Sequence, residues 1–417
     1  MVKNLEEFFS ERAQGMKVSE IRELLKLTNK PGIISFAGGL PDPELFPAEK
    51  IEEICTDVLA KYKKHALQYS ATEGIMPLRE ALVDHMKRTS PCDFDVNNII
   101  ITSGSQQALD LVSKIFVNPG DYVVTGAPTY LGGIGAIRAY EARFKSVALD
   151  EHGMKPDVLR TTLDELEKKG IRPKFIYVVP SFQNPMGVTL PEDRRKEIAE
   201  IAIERDLLIL EDTPYCELKF TDQENYKDIY FYAPENTIHM GTFSKILAPG
   251  LRVAWVLAPE EVINKIVLAK QGADLCTAAF PQYIAFEYMR RGYIYNHIEE
   301  IRKVYGEKRD TMIEAMKKYF PEGVKWTEPK GGMFLWVTLP EGCDTVRMFE
   351  RALKRNVAYV IGKAFYVEDD GKNAMRLNFT HSTLEEIEEG IKRLAETIRE
   401  EMKLSGCLKA GNSMMAF

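Results

Sequence analysis

The feature that most constrains the fold is a series of short apolar runs through the middle of the chain. Each run has five or six residues, and helical patterns such as Gln106–Phe116 and Pro191–Glu204 lie between several of them. The runs are Asn98–Thr102, Asp121–Thr125, Lys174–Val179, Leu207–Glu211, Thr237–Gly241 and Val253–Leu257. Strands that are apolar throughout are buried on both faces, and parallel strands need crossover helices. The pattern therefore predicts an α/β fold with a mostly parallel sheet covered on both faces.

The pattern changes after about residue 293. Helices are predicted at Tyr293–Lys318, Asp344–Lys354 and Leu384–Met402, with strands at Met333–Val337 and Met375–Phe379. This mixture predicts a second, smaller α+β domain. We expect residues 48–295 to form the large α/β domain and residues 1–47 plus 296–404 to form the small domain. Residues 405–417 are expected to be a flexible tail.

The composition argues against several classes of function. The net charge of −7 gives no basic field for nucleic acid. No run of 18 apolar residues is present, and the N-terminus is acidic, so neither a membrane span nor a secretory signal is expected. The six cysteines are far apart and the six histidines are dispersed, which favours neither disulfides nor a metal site. We therefore expect a cytoplasmic protein that binds no metal, nucleic acid or membrane.

The strongest chemical signal is the segment Thr242-Phe-Ser-Lys-Ile-Leu-Ala-Pro-Gly-Leu-Arg252, which follows an apolar run. A lysine that forms a Schiff base needs neighbours that lower its pKa. The hydroxyl groups of Thr242 and Ser244, together with Arg252, are suited to holding a phosphate beside Lys245. The alternative is a surface lysine in a Pro-Gly turn.

A second signal is Thr102-Ser-Gly-Ser-Gln-Gln107, at the junction between a predicted strand and a predicted helix. The first residues of a helix present free N–H groups and the positive end of the helix dipole, which favour phosphate binding. Ser105 and Gln106 are the candidates. Ordinary capping of the helix by Ser105 is the alternative.

Polar side chains follow other apolar runs: Tyr130, Asn184, Asp212 and Tyr215. Ligands of α/β sheets bind where the strands end. A carboxylate at Asp212 could keep a pyridine nitrogen protonated, Asn184 could donate to a phenolate oxygen, and Tyr130 could stack on a flat ring. Turn or capping roles for the polar residues, and a core position for Tyr130, remain alternatives.

Two further features concern an arginine and a glycine-rich segment. Arg376 interrupts the apolar run Met375–Phe379, where a bidentate bond to a carboxylate would explain it; a buried structural ion pair is the alternative. The segment Leu131-Gly-Gly-Ile-Gly135 lacks the third glycine of a dinucleotide-binding loop. We therefore expect that segment to be a flexible turn.

Together these motifs resemble the class I/II aminotransferases that depend on pyridoxal 5′-phosphate (PLP) and have fold type I. The resemblance covers about residues 15 to 402. It is strongest to archaeal aromatic aminotransferases and to kynurenine/2-aminoadipate aminotransferases. The segments behind that choice are Ile34–Pro47, Leu67–Ser70 and Thr102–Gln107.

The resemblance implies a role for each motif residue around the cofactor. Lys245 would hold PLP as a Schiff base and move the proton, Asp212 would pair with the pyridine nitrogen, and Tyr130 would stack on the ring. Lys245, Asp212 and Tyr130 are thus the expected catalytic residues. Asn184 and Tyr215 would bond to the ring phenolate. The phosphate would be bound by Ser105, Gln106, Ser244, Arg252 and Thr242, where Thr242 replaces a frequent serine.

The same resemblance implies the substrate contacts and a partner. Arg376 would grip the substrate α-carboxylate, and Gly39 and Asn184 would also contact the substrate. Tyr69 would reach across a homodimer to the phosphate in the other subunit. A predicted amphipathic helix at Val18–Leu27 could close over the substrate, and Arg12 and Arg22 could meet a side-chain carboxylate, although two solvated charges are the simpler interpretation.

The expected reaction transfers the amino group of an aromatic L-amino acid to 2-oxoglutarate, giving an aryl-2-oxo acid and glutamate. The alternatives are a 2-aminoadipate or kynurenine aminotransferase, a PLP-dependent β-lyase on the same fold, and a PLP-binding transcription regulator. A regulator would carry a helix-turn-helix domain ahead of the aminotransferase unit. Gly38 and Gly39 lie so early in the sequence that we expect no such domain.

Overall fold

The computed structural model describes residues 5–15, 32–89, 93–224, 226–368 and 370–407. The strands are β1 Ile34–Ser35, β2 Ile99–Thr102, β3 Tyr122–Ala127, β4 Arg143–Asp150, β5 Gly153–Met154, β6 Phe175–Val178, β7 Leu208–Asp212, β8 Thr237–Thr242, β9 Ala254–Leu257, β10 Lys325–Trp326, β11 Phe334–Thr338, β12 Val357–Ala358, β13 Val360–Ile361 and β14 Ala374–Asn378. The helices are α1 Glu11–Gly15, α2 Ala48–Ala66, α3 Met76–Thr89, α4 Ser105–Phe116, α5 Leu131–Arg138, α6 Pro156–Glu167, α7 Glu192–Glu204, α8 Glu260–Gln271, α9 Ala279–Arg290, α10 Tyr293–Tyr319, α11 Thr345–Lys354 and α12 Leu384–Leu404.

The large sheet contains eight strands of the described chain, in the order β2-β9-β8-β7-β6-β3-β4-β5. The pairs β4–β3, β3–β6, β6–β7 and β7–β8 are parallel. Strand β9 runs antiparallel to β8 and β2, and β5 runs antiparallel to β4. Strands β2, β6, β8 and β9 are buried along their whole length. The predicted α/β class with a mostly parallel sheet is confirmed. Its central strands are largely apolar because both faces of the sheet are covered.

The sequence pattern missed the edge of this sheet. Strand β4 mixes exposed and half-buried positions, and charged residues such as Arg143 and Lys145 interrupt its apolar ones. A search for continuous apolar runs finds buried central strands and overlooks a strand that lies at a solvated edge.

The expectation of a flexible turn at residues 131–135 was wrong, because these residues begin helix α5. Two glycines let the helix approach two aromatic rings. A Cβ on Gly132 would lie 2.4 Å from the Tyr130 ring, and one on Gly133 would lie 2.7 Å from that of Tyr177. The glycines thus serve close packing of the helix against the rings.

A smaller antiparallel sheet has the order β10-β11-β14-β13, and β1 pairs in parallel with β12. Arg376 lies in β14 between β11 and β13, opposite Trp336 and Val360. Helices α11 and α12 pack against these strands, with α12 in contact with β1, and α10 packs against α12. Strand β1, near the N-terminus, thus packs against elements from the last third of the chain.

Some expectations fall outside the described residues. They include the helix at Val18–Leu27, Arg22 and residues 408–417 of the expected tail. The guanidinium of Arg12, which is described, lies 5.3 Å from the centre of the Tyr140 ring. Among the described helices, none combines the length and the apolar character needed to cross a membrane.

Candidate active site

A cavity of about 350 Å³ lies where the ends of β7 and β8 meet the segment after β1 and residues of β11 and β14. Every predicted site residue except Tyr69 lines it. These residues are Gly39, Ser105, Gln106, Tyr130, Asn184, Asp212, Tyr215, Thr242, Ser244, Lys245, Arg252 and Arg376. Residues from both halves of the sequence therefore meet in one concave space, as in most small-molecule sites.

Lys245 follows the end of β8 and extends into this cavity. Its Nζ donates a hydrogen bond of 3.0 Å to the carbonyl oxygen of Gly39. Burial, together with the positive charges of Arg376 and Arg252, lowers the pKa of the Lys245 amine to about 8. A buried amine with a lowered pKa is available as a neutral nucleophile or base close to neutral pH.

Asp212 ends strand β7, and its two carboxylate oxygens have different surroundings. The Tyr177 hydroxyl donates to Oδ2 at 2.9 Å, whereas the buried Oδ1 has no hydrogen-bond partner among the described residues. Burial raises the pKa of Asp212 to about 6, against the lowering effects of the Tyr177 hydrogen bond and the charge of His239. A buried oxygen without a partner calls for a donor, and the protonated nitrogen of a pyridine ring would supply one.

Asn184 joins two parts of the cavity. Its Nδ2 donates to the Tyr215 hydroxyl at 3.2 Å, and its Oδ1 accepts a hydrogen bond of 2.9 Å from Nη1 of Arg376. Burial is also the main cause that raises the pKa of Tyr215, so its hydroxyl stays protonated. The amide thus fixes the orientation of both the tyrosine and the arginine.

Arg376 is 4% exposed, and its Nη2 donates to the carbonyl oxygen of Ala37 at 2.7 Å. Its guanidinium carbon lies 4.2 Å from the centre of the Phe334 ring and 5.1 Å from that of Phe365. Burial lowers the pKa of Arg376 to about 10, which still leaves it charged at neutral pH. No carboxylate of the described residues forms an ion pair with it, so the alternative of a structural ion pair has no support in this part of the chain.

The opposite end of the cavity contains the turn before helix α4. Gly104 has a φ of +84°, and a Cβ there would lie 1.9 Å from Nη2 of Arg252. The guanidinium of Arg252 donates to the carbonyl oxygens of Pro249 at 3.1 Å and Ser103 at 3.4 Å. Only a glycine allows the turn to approach the arginine this closely.

Helix α4 begins at Ser105, and Gly104 is its N-cap residue without any side-chain capping bond. The predicted alternative of a Ser105 cap is therefore wrong. The uncapped N–H groups of the first turn, the nearby Arg252 and the hydroxyl pair of Thr242 and Ser244 fit a phosphate group. The two hydroxyl oxygens of that pair are 2.9 Å apart.

The remaining predicted residues occupy distinct places. Tyr130 is the N-cap residue of α5 and lines the cavity, while Nε2 of Gln106 donates to the carbonyl oxygen of Gly132 at 3.2 Å. Tyr69 is 77% exposed and does not line the cavity.

Sequence reasoning missed Tyr177 and Phe334, which contact Asp212 and Arg376. A signal for Tyr177 was available, because it carries the one hydroxyl group of the apolar run Phe175–Val178, and a buried tyrosine hydroxyl needs a partner. Nothing in the local pattern distinguished Phe334 from a core residue.

Comparison with known proteins agrees with this geometry. Residues 35–394 match the family model described as aminotransferase class I and II. The chain is 51% identical over 399 residues to "Aromatic-amino-acid aminotransferase 1" of Thermococcus litoralis, with 95% of each chain covered.

Solved structures are also similar. The kynurenine aminotransferase of Pyrococcus horikoshii, in complex with PMP, has a TM-score of 0.93 and 50% identity, with 96% of this chain and 99% of that chain covered. The alpha-aminoadipate aminotransferase of Thermus thermophilus, complexed with N-(5′-phosphopyridoxyl)-L-leucine, has a TM-score of 0.86 and 39% identity, with 96% of this chain and 100% of that chain covered. With its large α/β sheet and these matches along most of its length, the chain belongs to the class I and II aminotransferases, a PLP-dependent family with fold type I.

Proposed function

We propose that this chain transfers the amino group of an aromatic L-amino acid to 2-oxoglutarate, giving an aryl-2-oxo acid and L-glutamate. The observation that carries the proposal is the set of cations in the cavity. Among the described lining residues these are Lys245, Arg252 and Arg376, and each has a task with the cofactor or the α-carboxylate. No described cation remains that would favour a donor with a second carboxylate, and 2-oxoglutarate would bind through the α-carboxylate that it shares with the donor, while Phe334 provides aromatic surface. The 51% identity to an aromatic aminotransferase supports the same choice.

The residues that line this cavity fit PLP: the start of α4 would meet its phosphate, and Asp212 and Tyr130 would contact its ring. Arg252, Ser244, Thr242, Ser105 and Gln106 would hold the phosphate. When bound, PLP supplies an electron sink for the electron pair left at the substrate α-carbon.

The chain's own residues then have separate tasks at that ring. Asp212 would present its unpartnered Oδ1 to the pyridine nitrogen and keep that nitrogen protonated, while Asn184 and Tyr215 would present donors to the phenolate oxygen. Tyr130 would cover one face of the ring. These contacts would fix the orientation of the ring before any proton moves.

The substrate is handled by the remaining groups. Arg376 binds the α-carboxylate that the donor and the acceptor share, and Asn184 and Gly39 border the same space. Lys245, with its lowered pKa, takes the proton from the substrate α-carbon and returns it on the cofactor side.

The test is a donor panel with purified protein and 2-oxoglutarate as the fixed acceptor. The measurement is kcat/KM for phenylalanine, tyrosine, tryptophan, kynurenine, 2-aminoadipate and aspartate. We expect the aromatic donors to rank first. A tenfold preference for 2-aminoadipate or kynurenine, about 1.4 kcal/mol in transition-state binding, would replace the aromatic assignment by that alternative.

A β-lyase on the same fold would share the cofactor contacts. The two activities differ in their need for an amino acceptor: a transaminase stops after one turnover without a 2-oxo acid, whereas a lyase continues. Turnover that persists in the absence of any 2-oxo acid would therefore contradict the proposal.

We also propose that the protein works as a homodimer with two shared sites. Tyr69 and its neighbour Leu67 are 77% and 74% exposed, and the adjacent Ser70 hydroxyl bonds to the Thr277 carbonyl at 3.4 Å. The Thr277 hydroxyl in turn lies 3.2 Å from that of Ser103, in the phosphate-binding turn. Tyr69 is thus close to its own phosphate end but turned outward, which suits a contact with a second copy. Sedimentation that shows an active monomer would refute this.

The last two proposals concern the domain bounds and the location of the protein. We propose that residues 48–295 form the large domain and that residues 1–47 and 296–404 form the small domain. We also propose a cytoplasmic location, since the cysteines within the described residues are all free thiols. Limited proteolysis and cell fractionation test these statements.

A further inference from the structure

A group of polar side chains lies behind the phosphate-binding turn, on the side away from the cavity. Lys270, on helix α8, has a side chain that is 0% exposed. Its Nζ donates to both carboxylate oxygens of Asp274, at 2.7 and 2.8 Å, and to Oε1 of Gln107 at 2.9 Å. The ammonium group therefore reaches from α8 to the first turn of α4.

The same group holds Ser103 from two sides. The Ser103 hydroxyl donates to Oδ2 of Asp274 at 2.9 Å, and its backbone N–H donates to Oε1 of Gln107 at 2.8 Å. Nε2 of Gln107 closes the ring by donating to Oδ2 of Asp274 at 2.7 Å. We call Lys270, Asp274, Gln107 and Ser103 the Lys270 cluster.

The cluster adjoins the atoms that would touch the phosphate. The carbonyl oxygen of Ser103 accepts from Arg252, and the next residue is Gly104, which the Arg252 guanidinium overlies. Ser105 follows as the first residue of α4. A displacement of Ser103 would therefore move both the arginine and the start of the helix.

Stability alone is a weak reason for this arrangement. Removing an ammonium group from water is costly, and well-packed apolar residues often stabilise a fold as well as a buried ion pair does. A charged network whose members all have partners does, however, fix one geometry. The Lys270 cluster fixes the geometry of residues 103–107, of which Ser105 and Gln106 line the cavity.

We propose that the Lys270 cluster is a positioning device for phosphate recognition, which holds the turn at residues 103–105 and the start of α4 in the geometry that grips the cofactor phosphate. The inference rests on the proposed function, because it requires the phosphate to bind at this end of the cavity. The cluster residues themselves are positioning residues and are not assigned any contact with the cofactor.

The experiment compares two ligands that share a ring and differ in the phosphate. Dissociation constants of PLP and of pyridoxal are measured on the full-chain apoprotein by the absorbance of the bound ring. The ratio of the pyridoxal constant to the PLP constant reports the grip on the phosphate alone. The variants are Lys270→Met and Asp274→Asn; the second keeps the shape of the side chain, removes its charge and replaces one acceptor oxygen by an NH2 donor.

The matched control is Lys308→Met, which removes another buried lysine that pairs with an aspartate. Nζ of Lys308 lies 2.6 Å from Oδ2 of Asp42, and no residue of the phosphate end is among its partners. This variant separates a general loss of stability from a loss of phosphate recognition.

We expect the ratio to fall about tenfold in each cluster variant, equivalent to about 1.4 kcal/mol of phosphate binding, with the pyridoxal constant unchanged. Lys308→Met should lower Tm and leave the ratio at its wild-type value. An unchanged ratio in Asp274→Asn or in Lys270→Met would overturn the inference; if Lys270→Met does not fold, Asp274→Asn decides. Wild-type protein that binds pyridoxal as tightly as PLP would instead contradict the phosphate site of the proposed function.

Discussion

Among the regions in which the described chain buries cations, two differ in how the charge is partnered. In the region of helix α10, the ammonium of Lys308 is paired with Asp42 at 2.6 Å and bonds to the Thr380 carbonyl at 2.9 Å. In the cavity, Lys245 and Arg376 bond to backbone carbonyl oxygens and to an amide, and no described carboxylate pairs with them.

The difference indicates what each charge is for. Lys308 has its counter-charge inside the fold, so its contribution is to the structure. Burial lowers the pKa of both Lys245 and Arg376, and the charge of Arg376 also lowers the pKa of Lys245. Their charge is left for a ligand that brings its own negative groups. Loss of a cavity cation should therefore affect turnover, and loss of Lys308 should affect stability.

The largest expected effect is that of Lys245→Ala. Removal of the amine that moves the proton should lower kcat by about 10⁴-fold, the upper range for a general acid–base group. Tm of the apoprotein should not fall, because the variant removes a buried cation that has no carboxylate partner. The measurements are steady-state turnover and a thermal melt. Borohydride labelling of another lysine in the wild-type holoenzyme would show that the assignment is incorrect.

The next effect is that of Lys308→Met on stability. It leaves the carboxylate of Asp42 buried without its partner, which typically costs about 3–5 kcal/mol. Urea unfolding of the apoprotein at fixed protein concentration measures this loss. The loss of kcat/KM can be converted to a free energy through the logarithm of its fold change. If that free energy exceeded the loss in the free energy of unfolding, the comparison between the two regions would be wrong.

A smaller effect is expected for Arg376→Met. A charge-assisted hydrogen bond to a carboxylate contributes about 1.5–3 kcal/mol, so kcat/KM should fall at least about tenfold for amino acid donors. Binding of PLP should stay close to the wild-type value, because Arg376 is assigned to the substrate. A variant with unchanged kcat/KM, or with weakened PLP binding alone, would contradict this role.

The last prediction concerns the dependence of apoprotein stability on pH. The pKa of Lys245 is about 8 in the folded protein and 10.5 in its ordinary state. Between these values the unfolded chain binds the extra proton, so the free energy of unfolding should rise with pH relative to a Lys245→Met variant. This stabilisation is complete above 10.5 and is lost as the pH falls through about 8. Urea titrations of both proteins from pH 7 to the alkaline limit measure the difference, and a difference that falls with pH would give the opposite sign for the pKa shift.

Individual residues show which parts of the site could be predicted from the sequence. Asp212, Asn184 and Lys245 were selected because they follow apolar runs, and the strands that these runs form all end at the cavity. Tyr177 lies inside such a run, and its position gave no indication that its hydroxyl would meet Asp212 across 35 residues of sequence. Helix α5 was mistaken for a turn because its glycines were considered without the rings they pack against.

The sequence by itself therefore determined the class of the fold, the buried central strands and most of the residues around the cavity. These follow from local patterns: apolar runs select strands, and the ends of parallel strands meet at one edge of the sheet. The tertiary structure alone decided that Arg376 lies between Phe334 and Phe365 without a described acidic partner, and that Lys270 holds Gln107 from 163 residues away. Contacts of this kind depend on strand register and helix packing between distant segments, which no local pattern of residues encodes.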